Sequence, residues 1–91
     1  MKIRWSDLAA DRLSDIFEYI ALDNEDAAIG TVQRIYSCID RIVLMPYSGR
    51  KGQTDGTREL VVPGTPYIVV YEILDEVIYL VSILHGAQNW R

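Results

Sequence analysis

The 91-residue sequence contains only one cysteine and one histidine, and this scarcity excludes several kinds of site. With Cys38 alone, the chain can form neither an internal disulfide nor a multi-cysteine zinc site. With His85 alone, it can form neither a histidine-rich metal site nor a catalytic pair of histidines. The sequence therefore predicts a protein that uses no metal ion and no cofactor.

Long apolar runs and a surplus of basic residues are missing as well. No apolar run approaches the about 18 residues that cross a bilayer, and the segment after Met1 lacks the pattern of a signal peptide. We therefore expect a reducing, cytoplasmic setting and no membrane. The formal net charge is −4, whereas domains that bind nucleic acid through its phosphates usually carry a basic excess.

What the chain does contain is typical of a small globular protein, with 49% hydrophobic and 24% charged residues. Its length predicts one domain, residues 1–91. Helical spacing of apolar residues predicts one helix from Ser6 to about Leu22 and a second from Asn24 to the Met45-Pro46 step. The short connection between them predicts an antiparallel hairpin.

Strand patterns flank this helical pair. Residues 3–5 alternate as a short strand, residues 46–56 are predicted as a loop, and residues 57–62, 67–73 and 77–84 are predicted as three further strands. The predicted order is β-α-α-β-β-β, which is an α+β chain.

The last two predicted strands are apolar on both faces, at 68–71 and at 77–84. A sheet with one wet face alternates apolar and polar residues, and two helices can cover one face only. The pattern therefore predicts that a protein partner covers the second face. A homodimer or a tucked C-terminal tail remains the alternative.

Few residues suggest chemistry. Gly49-Arg50-Lys51-Gly52 lacks the spacing and context of a phosphate-binding loop. Cys38 is predicted to pack and not to act as a nucleophile, and Arg34 and Arg41 are predicted to form a solvated stripe paired with neighbouring acids. Arg58 enters an apolar strand, where it could form an ion pair with Glu72 or Glu59 or bind an anion.

The C-terminal segment is the second place of interest. His85 closes the last predicted strand, Gly86 breaks it, and side chains suited to recognition follow. We consider Arg58 and His85 as candidates for a catalytic role. The predicted target-binding residues are Arg50, Lys51, Arg58, His85, Gln88, Trp90 and Arg91.

Four pieces of the sequence, in order, resemble the RelE/ParE superfamily, the toxins of type II toxin–antitoxin modules. The pieces are Ser48-Gly49-Arg50, the run 56–62, the run 66–71 and Ile83-Leu84-His85-Gly86-Ala87-Gln88. The resemblance implies an antiparallel sheet with the helical hairpin packed on one face. It also implies a co-expressed antitoxin that wraps the toxin, with operator DNA bound only through that antitoxin.

The superfamily has two activities, and the residues of this sequence can be compared with those that each activity requires. RelE-like members cut mRNA on the ribosome with several basic groups, and those basic positions fall here on Thr57, Glu59, Ile68 and Gln88. ParE-like members inhibit DNA gyrase and are not known as nucleases. The resemblance therefore favours a ParE-like toxin without enzymatic activity, although the basic run that often follows His-Gly there is Ala87-Gln88-Asn89 here.

Two alternatives remain. One is a RelE-like ribosome-dependent mRNA interferase in which Arg58 and His85 replace the missing cations. The other is a weak toxin whose main role is co-repression together with its antitoxin.

Overall fold

A computed structural model of the chain describes residues 1–86. Its elements in chain order are β1 (Lys2–Trp5), α1 (Asp7–Ala21), α2 (Glu25–Leu44), β2 (Arg50–Lys51), β3 (Thr57–Val61), β4 (Tyr67–Leu74) and β5 (Val77–His85). The predicted α+β class and the predicted order of the longer elements are confirmed. The two-residue strand β2 was predicted as loop, because it contains no apolar residue and exists only through its pairing with β3.

Polar caps fix where the two helices begin. The Ser6 hydroxyl accepts a hydrogen bond from the Ala9 N–H at 2.9 Å, and the Asn24 side chain accepts one from the Ala27 N–H at 3.0 Å. Each cap satisfies a backbone donor that has no partner within the helix. The helices pack against each other as the predicted hairpin. In residues 1–86, neither helix is long and apolar enough to cross a membrane.

The sheet has the strand order β1-β5-β4-β3-β2. Strands β2 to β5 pair in antiparallel fashion, and the hairpin between β4 and β5 turns at Asp75 and Glu76, both at positive φ. The prediction of an antiparallel sheet is wrong at one edge, where β1 runs parallel to β5. A parallel neighbour needs a long crossover, and the helical hairpin together with β2 to β4 supplies it here.

The hydrophobic core lies between the helices and one face of this sheet. Val69 and Tyr71 from β4 and Ile78 and Leu80 from β5 belong to this core, and all four are almost fully buried. The core side of α2 contributes Ile35, Cys38, Ile39 and Ile42. Burial of each aliphatic side chain of this size is worth about 1.5–3 kcal/mol, so this core is the main source of the stability of the fold.

The second face of the sheet is less open than the sequence pattern predicted. Ile68, Val70 and Ser82 lie on it and are each less than 8% exposed. β1 stops pairing at Leu80, and α1 starts beside the remaining part of β5. The start of α1 and the loop after β2 border this face, so elements of the chain itself protect part of it.

Candidate target-binding surfaces

A buried tyrosine holds the loop that follows α2. The Tyr71 hydroxyl accepts a hydrogen bond from the Gly49 N–H at 3.0 Å and donates one to the Pro46 carbonyl at 2.6 Å. Burial raises the pKa of Tyr71, although the Gly49 N–H and the Arg58 charge act in the opposite direction. Gly49 is required here, because a Cβ atom would lie 2.5 Å from the Tyr71 hydroxyl.

Arg58 strengthens the same loop. Its guanidinium donates to the Gly49 carbonyl at 2.9 Å and to the Tyr47 carbonyl at 3.3 Å, and it lies 5.0 Å from the centre of the Tyr47 ring. The predicted ion pair with Glu72 or Glu59 is wrong, because carbonyl oxygens and a ring face take the place of a carboxylate. Arg58 therefore keeps its positive charge next to an exposed tyrosine.

The ion pair of this region belongs to Arg50 instead. Its guanidinium lies 3.1 Å from a carboxylate oxygen of Glu59, and the Gln53 N–H donates to the other oxygen at 3.2 Å. Glu59 is only 4% exposed, whereas the Arg50 side chain is 59% exposed. A buried carboxylate is stable only when charge and hydrogen bonds compensate it, so Arg50 has a structural role.

The register of the sheet brings three of the predicted target-binding residues to the same edge. Arg50 pairs with Glu59 and Lys51 pairs with Arg58 across β2 and β3. We call Tyr47, Arg50, Lys51 and Arg58 the basic edge. The Tyr71 and Arg58 hydrogen bonds described above hold the backbone at residues 46–49, where the exposed Tyr47 ring lies against Arg58. Because side chains alternate along a strand, Arg50 and Lys51 point to opposite faces of this edge.

His85 lies in a different place, at the end of β5. Its ring meets the Tyr67 ring edge to face at 5.5 Å. Both rings border an open groove of about 500 Å³ together with Arg12, Asp15 and Tyr19 of α1. Burial and the neighbouring Tyr19 raise the pKa of Tyr67. The α1 residues of this groove were not singled out from the sequence, where they read as the solvated side of a helix.

The structure does not bring Arg58 and His85 together. Arg58 is paired with Tyr71 and His85 with Tyr67, on opposite sides of β4. Four residues along a strand span about 13 Å, and two strand spacings add about 10 Å across the sheet. The two backbones therefore lie roughly 16 Å apart, and the Arg58 side chain is directed to the 46–49 loop.

The remaining predictions concern the C-terminal residues, Cys38 and metal binding. Gln88, Trp90 and Arg91 lie outside the described residues. Cys38 is 1% exposed, and burial raises the pKa of its thiol despite nearby Arg41, which favours packing over nucleophilic chemistry. Within residues 1–86, no group of three His, Cys, Asp or Glu side chains could hold a metal ion.

Comparisons with known proteins agree with this geometry. Residues 3–90 match the family model described as "ParE toxin of type II toxin-antitoxin system, parDE". The chain is 40% identical over 89 residues to a Sinorhizobium fredii protein named "Putative toxin Y4kP", covering 98% of this chain and 92% of that protein. A solved structure titled "Chromosomal ParDE TA system from P. aeruginosa" has the same fold, with a TM-score of 0.83 at 24% identity over 93% of this chain and 95% of that one.

Proposed function

Because the chain belongs to the ParE toxin family of type II toxin–antitoxin systems, we propose that it arrests growth by inhibiting DNA gyrase and that a cognate antitoxin neutralises it. In this proposal the toxin acts in the cytoplasm, without a membrane, metal ion or cofactor. It reaches operator DNA only as part of the complex with its antitoxin.

The observation that carries the choice of gyrase over mRNA is the buried carboxylate of Glu59. The resemblance places three basic groups of RelE-like enzymes on Thr57, Glu59 and Ile68. All three side chains lie on one face of the sheet, and each is at most 6% exposed. Cleavage of RNA by its own 2′-hydroxyl needs cations at the phosphate. None of the three positions supplies a cation here, because they hold a hydroxyl, a buried carboxylate that is already paired with Arg50, and an alkyl group.

The separation of Arg58 and His85 supports the same choice. Groups that act on one phosphodiester bond must both come within about 3 Å of the reacting atoms. Arg58 is engaged by the 46–49 loop, and its backbone lies roughly 16 Å from that of His85. They are therefore poor substitutes for a catalytic cluster, and we propose a binding role without enzymatic activity.

The basic edge is the surface that we propose for contact with the target. Tyr47 is 65% exposed and lies against the Arg58 guanidinium, and Lys51 projects from the outermost strand. Exposed tyrosine and arginine side chains on a fixed backbone are typical anchors of protein interfaces. His85, Gln88, Trp90 and Arg91 form the second part of the proposed target-binding surface.

The exposed apolar side chains of the helices support an antitoxin partner. Leu22, Leu44 and Tyr19 are 87%, 80% and 75% exposed, and they lie on the helical layer and not on the second face of the sheet. Tyr19 and Leu22 lie three residues apart at the end of α1, and apolar side chains that are exposed side by side are typical of a surface that a protein partner covers. We therefore assign the main antitoxin contact to the helices, in contrast to the expectation from the strands.

Inducible expression tests the proposal in cells. The toxin alone should stop growth and produce filaments with a DNA-damage response, and co-expression of the neighbouring short reading frame should restore growth. Growth arrest without filaments, with rapid loss of mRNA, would favour the mRNA interferase. Normal growth of cells that contain the folded toxin would favour the co-repressor.

A further inference from the structure

A second groove lies on α2, away from the basic edge and from His85. Its volume is about 430 Å³. Gly30, Arg34, Ser37 and Arg41 line it along the helix, Cys38 lies at its floor, and Pro63 of the turn between β3 and β4 forms the opposite wall. We call this site the α2 groove.

Two arginines of the α2 groove have no acidic partner among residues 1–86. Arg34 donates to the Pro63 carbonyl at 3.3 Å, and within residues 1–86 neither Arg34 nor Arg41 lies within 4 Å of a carboxylate. The predicted pairing with neighbouring acids is therefore wrong, because no acid occupies the positions that face this groove. Seven residues are almost two helical turns, so the two arginines lie on one side of α2 about 10 Å apart along its axis.

Gly30 is the second observation that points to a ligand. It lies inside α2, where glycine is less favourable to the helix than alanine. A Cβ atom at Gly30 would meet nothing within 4 Å. Internal packing therefore does not require glycine at this position, and its effect is to keep the end of the α2 groove open.

We propose that the α2 groove binds an acidic segment of the antitoxin, with carboxylates of that segment paired to Arg34 and Arg41. This inference rests on the proposed neutralisation by an antitoxin. Charge complementarity selects the occupant, because two arginines that no carboxylate of residues 1–86 neutralises lie on one side of α2. Leu44 follows Arg41 by three residues on the same side of α2 and is 80% exposed, so an apolar side chain of the segment would continue the contact.

A protein segment fits this site better than a nucleic acid. The net negative charge of the chain repels a polyanion at longer range. A peptide that places two carboxylates about 10 Å apart needs only the local field of the two guanidinium groups. Binding of the operator DNA at this groove is the competing outcome of the experiment.

The experiment uses the purified toxin and the product of the short reading frame beside its gene, with affinity measured at low and high ionic strength. Arg41→Gln should weaken binding about five- to tenfold at low salt and less at high salt. Arg4→Gln, the same charge change on the exposed edge strand β1, should change affinity less than twofold. Arg41→Glu should weaken binding further, and an acidic-to-lysine change in the antitoxin should rescue it.

Gly30 provides a test in which stability and binding change in opposite directions. Gly30→Leu should raise the melting temperature by a few degrees, because the helix gains a better former and the side chain has free space. It should nevertheless weaken antitoxin binding at least about tenfold by filling the α2 groove. Gly30→Ala is the matched control, with raised stability and affinity within about twofold of wild type.

The outcomes separate this inference from the proposed function. If wild type, Arg41→Gln and Gly30→Leu all bind the antitoxin equally well, the α2 groove is not its site, although neutralisation stands. If wild type itself fails to bind, neutralisation and the groove assignment both fall. If Arg41→Gln binds the antitoxin normally and its complex loses affinity for operator DNA, the groove serves nucleic acid and the inference is overturned.

Discussion

Removal of one buried hydroxyl, in Tyr71→Phe, should destabilise the protein by about 2 kcal/mol. The hydroxyl bonds to the Gly49 N–H at 3.0 Å and to the Pro46 carbonyl at 2.6 Å. Loss of a partner costs a buried polar group about 1–3 kcal/mol. Gly49 is buried and Pro46 is half-buried, so water can replace only part of the loss. A change of this size lowers the melting temperature of a domain under 100 residues by roughly 8–16 °C.

Urea unfolding of the purified protein measures this change directly, as a lower midpoint with an unchanged slope. Tyr36→Phe is the matched control, because the Tyr36 ring packs on Trp5 at 5.9 Å and the residue is 49% exposed. We expect the control to change the free energy of unfolding by less than about 0.5 kcal/mol. A Tyr71→Phe variant as stable as this control would refute the assigned role of the hydroxyl.

A double variant sharpens the same test. Gly49→Ala places a Cβ atom 2.5 Å from the Tyr71 hydroxyl, and the resulting clash should cost at least about 1–3 kcal/mol. Tyr71→Phe removes the closest of the clashing atoms. The double variant should therefore lose less stability than the sum of the two single losses, whereas strict additivity would place the strain elsewhere.

Three further predictions concern the helix cap, alkaline pH and the tail. Ser6→Ala removes the cap of α1 and the hydrogen bond from the Ser6 hydroxyl to β5, so the free energy of unfolding should fall by about 1–2 kcal/mol. Urea unfolding measures this loss, and an unchanged midpoint would contradict it. Burial raises the pKa of Cys38, Tyr67 and Tyr71, so the folded state holds these protons more tightly than the unfolded chain. Their contribution to stability is present below about pH 9 and should be lost as pH rises through their raised pKa values, and a free energy of unfolding that increases above pH 9 would contradict it. Trp90→Ala should weaken toxicity and leave stability and antitoxin affinity intact, whereas a parallel loss of all three would assign Trp90 to the fold.

The parts of the fold that were predictable from the sequence are those with local causes. Ser6 and Asn24 are strong caps, so both helix starts were predictable to the residue. Glycine, proline and paired acidic residues separate the strands and predict the turns between them. The parallel pairing of β1 has no local cause, because it depends on where the whole crossover returns the chain.

The candidate site was harder to predict because its key contacts involve backbone groups. Arg58 donates hydrogen bonds to the carbonyl oxygens of residues 47 and 49. Every residue has a backbone carbonyl, so the sequence does not show which carbonyls an arginine will bind. The acidic residues of the sequence therefore suggested Glu59 as a partner of Arg58. In the structure, Glu59 pairs instead with Arg50 of the short strand β2. The target-binding role of Arg50, Lys51 and Arg58 stays a prediction, and their individual partners required the register of the sheet.

The second face of the sheet illustrates a different limit. Its strands are apolar on both sides, as the sequence indicated, and Ile68 and Val70 are indeed buried there. The pattern of apolar residues along a strand indicates that a face of the sheet is buried, but it does not indicate which element covers that face. The start of α1 and the loop after β2 border this face, so the antitoxin contact that we propose lies on the helices instead.

The most direct test of the central claim measures supercoiling by purified DNA gyrase in the presence of the purified toxin. Relaxed plasmid, gyrase and ATP should give less supercoiled product as toxin is added, and equimolar antitoxin should restore the activity. The same toxin preparation, added to a reconstituted translation reaction, should leave the mRNA intact. Full supercoiling at excess toxin, together with codon-specific cuts in the ribosomal A site, would contradict the account and assign the chain to the mRNA interferases.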